Sequence, residues 1–223
     1  MEKNNCNICI ELAGDLEQIE YRDYGELVKH GKNVLMETRG FCVIPSFGPL
    51  DKSHVMIVPK KHVNSFALIE GELKGEVEFI IDALSDYYLE RFKERLFFFE
   101  SGAGSSCDHS GGCIVHAHIH CVASTDRFES LLSMECSLTQ VDDDTLFDTT
   151  HGYIWFRNEN GDEYYCNRPL LPSQFLRYLY LISKNVNKRW NWRRDINIKE
   201  IGNVISAYSG CLLYTSDAAD EGL

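Results

Sequence analysis

The chain has 223 residues, 44% hydrophobic and 25% charged, with a formal net charge of −12, values ordinary for a soluble globular protein of one large domain, or one domain with a sizeable extension. So acidic a chain is a poor general binder of nucleic acid, because phosphate binding draws on Lys and Arg, although a local pocket can still take a small phosphorylated substrate. No run approaches the roughly 18–20 uninterrupted apolar residues of a membrane helix, and the polar start Met1-Glu2-Lys3-Asn4-Asn5-Cys6 lacks a signal core; no membrane partner is expected, and the expected compartment is the cytoplasm.

Nine cysteines, an odd number scattered along the chain, argue for reduced thiols rather than a disulfide framework. Cys6-Asn7-Ile8-Cys9 opens the chain. Residues 34–47 alternate as strands do, at Val34, Met36, Phe41 and Val43, with Gly40 as the turn. Pro45 to Asp51 reads as a loop. Val55 to Val58 reads as a short buried strand stopped by Pro59. Over 72–92, Leu73, Val77, Ile80, Ile81, Leu84, Tyr87, Tyr88 and Arg91 recur at helical steps. A strand at Leu96 to Phe99 leads into a Gly- and Ser-rich loop, Gly102 to Gly112, and then into a strand from Ile114 to Ala123. A short helix is expected over 126–134 and an acidic link at Val141 to Asp144. Tyr153 to Phe156 and Glu163 to Cys166 flank an Asn-Gly turn, a hairpin signal. Pro172-Ser173-Gln174 opens a helix through about Asn185. Lys188, Arg189, Arg193 and Arg194 alternate with Trp190 and Trp192. That mix can grip phosphate and stack on a base, but reads first as a solvated helix end with tryptophans packed inward. Residues 211–223 read as a non-native tail without function.

The most informative stretch is Val115-His116-Ala117-His118-Ile119-His120-Cys121-Val122. In a strand, alternate side chains share a face, so His116, His118 and His120 would stand about 6.5–7 Å apart on one side. A polar outer face would more ordinarily carry Thr, Lys, Glu or Ser. A neutral imidazole, with an unperturbed pKa of ~6.5, can attack phosphorus and split one hard displacement into two easier ones. Flanking imidazoles and backbone amides of the preceding Gly-rich loop would supply the donors on which such transfers depend.

His116 to Val122 fits every position of His-φ-His-φ-His-φ-φ, with φ apolar, and so resembles the histidine-triad family. Ser53 to Val63, a strand ending in Pro59-Lys60-Lys61-His62, is similar to that family's second block, and Phe98 to Gly102 to its strand before the phosphate loop. The resemblance spans roughly residues 6–124. It implies an α+β fold, an antiparallel sheet with one long helix, over residues 1–135. A hairpin and helix extension at 136–210 resembles that of some longer bacterial members. It implies a homodimer and a nucleotide partner, with hydrolysis or transfer of nucleotidyl groups from diadenosine polyphosphates, phosphoramidates or adenylylated conjugates.

By the same resemblance, the catalytic set is His118 as nucleophile, His120 on the phosphate, and His116. Substrate contacts fall to His54, Ser46, Glu100, Gly112 and Cys113. In zinc-containing relatives the Cys-x-x-Cys pair is completed by the Pro-Lys-x-His histidine and the first triad histidine, here His62 and His116. A structural zinc on Cys6, Cys9, His62 and His116 is therefore expected. Cys107, His109 and Cys113 form a rival cluster. The chain departs from the family in having no Gln shortly before the triad, a longer loop from Ala103 to Cys113, and Pro45-Ser46-Phe47-Gly48 where some members hold ribose with an Asp. These departures leave room for an alternative, a nucleotide-sensing or RNA-processing-related binding module with little turnover.

Overall fold

The computed structural model describes residues 6–105, 115–194 and 196–210. Among the described residues, eight strands form one sheet: β1 (Met36–Glu37), β2 (Phe41–Pro45), β3 (Val55–Pro59), β4 (Leu96–Gly102), β5 (Ile119–Ala123), β6 (Thr139–Gln140), β7 (Tyr153–Arg157) and β8 (Glu163–Asn167). Their order is β1-β2-β3-β5-β4-β7-β8-β6, and every pairing is antiparallel. The central strands are continuous apolar runs, such as Phe41-Cys42-Val43-Ile44 and Phe97-Phe98-Phe99, and are buried throughout. Such runs need cover on both faces of the sheet; the α-helices among the described residues are α1 (Asn7–Leu12), α2 (Arg22–Lys29), α3 (Gly71–Phe92), α4 (Phe128–Leu132), α5 (Phe175–Ser183) and α6 (Ile198–Ala207). The α+β expectation holds, with the sheet left open at its edges.

Strand alternation sends Phe41, Val43, Val55, Ile57, Phe98, Ile119 and Cys121 to one face, where they pack against Val77, Ile80, Ile81, Leu84 and Tyr88 of α3. Phe97, Phe99, Val122, Ile154 and Phe156 point to the other face and meet Leu176, Leu179 and Tyr180 of α5 and Phe128 and Leu132 of α4. Farther along that second face, Ile8 of α1 packs on Cys42, Ile44, Met56 and Val58. Among the described residues no helix is long and apolar enough to cross a membrane.

One expectation changes. The strand foreseen from Ile114 starts at Ile119. Ahead of it the chain turns toward the loop after β3, where Ala117 N–H bonds the Val63 carbonyl at 2.7 Å and the His116 ring bonds the Pro59 carbonyl. These bonds pull residues 116–118 out of the ladder. The C-terminal extension, for its part, continues the sheet. Its hairpin forms as expected, with Gly161 at φ +87° in the turn, and β7 also pairs with β4 over five registered residues. Helix α6 crosses back to the α3 face, placing Val204, Ala207 and Tyr208 in the first core. There Tyr208 donates to the Ser53 carbonyl at 2.8 Å, and Tyr87 donates to the Ala207 carbonyl at 2.9 Å.

Tyr208 is 1% exposed. Truncating a buried aromatic of this kind costs about 3–5 kcal/mol. Tyr208→Ala is expected to lower stability to denaturant by that amount, while a change below about 1 kcal/mol would show α6 to be an appendage.

Candidate active site and metal centre

His120 points to the second face of the sheet, between Met56 of β3 and Phe99 of β4, its register partners. Its ring stacks on Phe99 at 4.7 Å between centroids, and His118 stands edge-on to it at 4.8 Å. Even-numbered residues of β3 share this face, so His54, just before that strand, meets His120 side by side. The hydrogen bonds then determine where each proton sits. Leu50 N–H donates to His54 Nδ1 at 2.9 Å, so His54 carries its proton on Nε2. That proton is donated to His120 Nδ1 at 2.8 Å, which leaves His120 protonated on Nε2. His118 Nδ1 lies 2.7 Å from the His116 carbonyl. A carbonyl only accepts, so Nδ1 carries the hydrogen and Nε2 keeps a bare lone pair.

Burial lowers the pKa values of all three rings, those of His54 and His120 well below the usual range, and Arg177 adds to each shift. All three are therefore neutral at pH 7. His118 and His120 face a cleft lined also by Ser46, Phe47, Phe99 and Arg177, while His54 is fully buried against His120; the cleft has an empty volume of about 1090 Å³ including space open to solvent. Much of its wall comes from the extension: Tyr153 and Ile154, then Pro169, Leu171 to Arg177, and Trp192. Trp192 sits 6.2 Å from Phe47 between ring centroids, and it gets there because residue 48 is glycine; a Cβ on Gly48 would stand 2.9 Å from Trp192 Cα. Trp190 and Trp192 lie in an irregular segment and a 3-10 turn rather than at a helix end.

His116 faces elsewhere. Its Nε2–H donates to the Pro59 carbonyl at 2.9 Å, which turns a bare Nδ1 toward Cys6 Sγ and Cys9 Sγ, each at 3.4 Å, and His62 Nδ1 at 3.2 Å. Cys9 Sγ is 3.2 Å from His62 Nδ1, and the four ligand atoms all lie within 4.8 Å of one another. A tetrahedral N₂S₂ site with metal–N of ~2.0–2.1 Å and metal–S of ~2.3 Å has edges of about 3.3–3.8 Å. The donor set and its spacing fit such an ion, and Pro59 supplies the outer bond that orients a ligating imidazole.

Residues 27–135 match a family model described as a protein similar to the CwfJ C-terminal, a histidine-triad-like family. A histidine-triad family protein from Bacillus subtilis is 18% identical, covering 53% of this chain and 72% of its own, with a TM-score of 0.41. A hypothetical protein from Leishmania major is 19% identical over 56% and 77%, with a TM-score of 0.42. A zinc-bound histidine-triad family protein from Mycobacterium smegmatis is 15% identical over 56% and 78%, with a TM-score of 0.40. No curated protein matches.

Within residues 27–135, the structure brings His118, His120 and Ser46 together at the cleft, sets His54 behind His120 as its hydrogen-bond partner, and sends the His116 side chain to the Cys-His cluster. Glu100 is a correction. It shares its face with Phe98, opposite His120, where Tyr153 donates to its carboxylate at 2.5 Å and Phe66 N–H at 2.9 Å. The alternation of β4 makes the cleft unreachable for it. Gly112, Cys113 and the rival cluster with Cys107 and His109 fall outside the described residues. Arg177 is the cleft residue that sequence reasoning missed. It lies one helical turn before Tyr180, but an arginine in an amphipathic helix reads as solvent-facing.

Two predictions follow from this geometry. Cys9→Ser is expected to lower both bound metal per chain and the thermal midpoint, since a structural ion can contribute on the order of 10 kcal/mol; equal metal content in both proteins would break the ligand assignment. Burial raises the Glu100 pKa to about 7. A folded value above the unfolded one means that its favourable contribution is complete below about pH 4.5 and is lost as pH rises toward 7. Glu100→Gln should therefore gain stability relative to the native chain across that interval, and parallel stability–pH curves would contradict the shift.

Proposed function

We propose that this protein hydrolyses or transfers nucleotidyl groups through a covalent intermediate on His118. The observation that carries the reading is the proton arrangement: His118 presents Nε2 unprotonated in a cleft, with its Nδ1–H tied to a backbone carbonyl. The Nε2 lone pair would attack phosphorus, forming an N–P bond as the bond to the leaving group breaks with its electron pair. His120, protonated on Nε2 through the Leu50–His54 relay, would donate a hydrogen bond to the phosphoryl oxygen or leaving group. Water, or another acceptor, would then displace Nε2 from phosphorus. The electron pair returns to His118 and the acceptor's proton leaves to solvent. Phe47 and Trp192 offer the flat apolar surface that a base requires. Zinc is the ion we assign to Cys6, Cys9, His62 and His116, because two thiolates and two imidazoles suit it and four protein ligands leave no open position. It would hold the N-terminus and the His116 backbone in place. The match to a CwfJ-like C-terminal model favours a second reading, a nucleotide-binding or RNA-processing-related module with little turnover.

The deciding experiment incubates native protein and His118→Ala with diadenosine tetraphosphate, an adenosine phosphoramidate and ATP. Nucleotide release by the native protein alone, with a trapped adenylyl-protein, is expected. The variant should lose activity by about three orders of magnitude or more, as loss of a nucleophile does. Equal release by both would end the covalent mechanism, and binding without release would favour the second reading.

A further inference from the structure

Arg177 is 4% exposed, and among the described residues no carboxylate lies within ion-pair distance of it. A buried cation is ordinarily paired, and this chain has 34 Asp and Glu from which a partner might come. Instead three neutral oxygens hold it: Nε donates to the Trp190 carbonyl at 3.0 Å, Nη1 to Ser46 Oγ at 3.2 Å, and Nη2 to the Gly48 carbonyl at 2.5 Å. These bonds fix the guanidinium plane without neutralising it. A guanidinium has five N–H groups. Three are used, so one N–H remains on each Nη for the oxygens of an incoming anion.

The surroundings point to the same occupant. Arg177 lines the cleft that holds His118 and His120, and so do Ser173 to Leu176, where α5 begins. The start of a helix carries a partial positive charge favourable to an anion, while the Phe175 and Arg177 N–H groups are already bonded to the Pro172 and Gln174 carbonyls. Desolvation lowers the Arg177 pKa to about 9, which still leaves it charged at neutral pH.

We propose that Arg177 forms the anion site of the cleft and holds the substrate's phosphoryl group beside His118. The identity of the substrate rests on the nucleotidyl-transfer reading, whereas the anion site does not. The C-terminal segment is thereby a working part of the site, supplying the cation that residues 27–135 do not place there.

The test is calorimetric titration of the native protein, Arg177→Gln and Arg177→Lys with inorganic phosphate, AMP and adenosine. With its charge-assisted hydrogen bonds lost, phosphate and AMP should bind Arg177→Gln roughly tenfold or more weakly. Adenosine affinity should not change. Arg177→Lys keeps the charge without the fork; it should fall between the two, and it serves alone if Arg177→Gln does not fold. Native protein that ignores phosphate, variants with unaltered phosphate affinity, or parallel losses for AMP and adenosine would reduce Arg177 to a brace and overturn the proposal. Phosphate binding that depends on Arg177, without any affinity for AMP or adenosine, would keep the anion site and remove the nucleotide reading.

Discussion

His116 makes separate use of its ring and its backbone, and the site is built around that division. Its Nε2–H is tied to the Pro59 carbonyl, its Nδ1 faces Cys6, Cys9 and His62, and its own carbonyl takes the Nδ1–H of His118. The ring is held by β3 and the Cys-His cluster, so the carbonyl is held too, and with it the tautomer of the neighbouring imidazole. A free histidine exchanges its proton between the two nitrogens. Here the backbone bond removes that choice, and the cleft receives a lone pair instead of an N–H. The Leu50–His54–His120 chain does the same for the third histidine in the opposite sense, leaving a donor where His118 leaves an acceptor.

The sheet decides which chemistry can meet. Residues separated by one position go to opposite faces, so Phe99 and His120 lie in the cleft while Glu100 is sealed behind them with Tyr153. Pairing of β7 with β4 then brings the extension to the same side, since the chain leaving that hairpin passes over the cleft before entering α5. Close approach is possible because the positions facing it are small. Gly48 admits the Trp192 backbone, and a Cβ on Gly102 would stand 2.4 Å from the Tyr153 ring.

Electrostatically the cleft is the inverse of the whole molecule. The chain carries a net charge of −12, but the groups around His118 are neutral imidazoles and one buried guanidinium. Burial disfavours protonation of the imidazoles, and the Arg177 charge disfavours it further. One cation therefore serves two ends, keeping the imidazoles neutral, so that His118 Nε2 stays bare, and leaving a positive potential for an incoming anion.

The main elements were legible because their signals are local. Helix α3 showed in the spacing of Val77, Ile80, Ile81, Leu84 and Tyr88, and the β7–β8 hairpin in its Asn-Gly turn. Helix α6 was equally local and went unread: Asn197 caps the Glu200 amide at 3.2 Å, and Ile198, Ile201, Val204 and Ile205 follow at helical spacing. The histidine pattern named the imidazoles of the site, and the Cys-x-x-Cys pair half of the metal cluster. No local pattern could show that the His116 ring turns away from its two neighbours, because Pro59 and Val63, which turn it, lie more than fifty residues back. Arg177 was hidden for the same reason, since its burial depends on Ser46 and Gly48 at the far end of the chain. Sequence by itself determined which side chains could do chemistry; tertiary structure alone decided which face each one reached, where each proton sits, and which cation went unpaired, because these depend on contacts between residues distant along the chain.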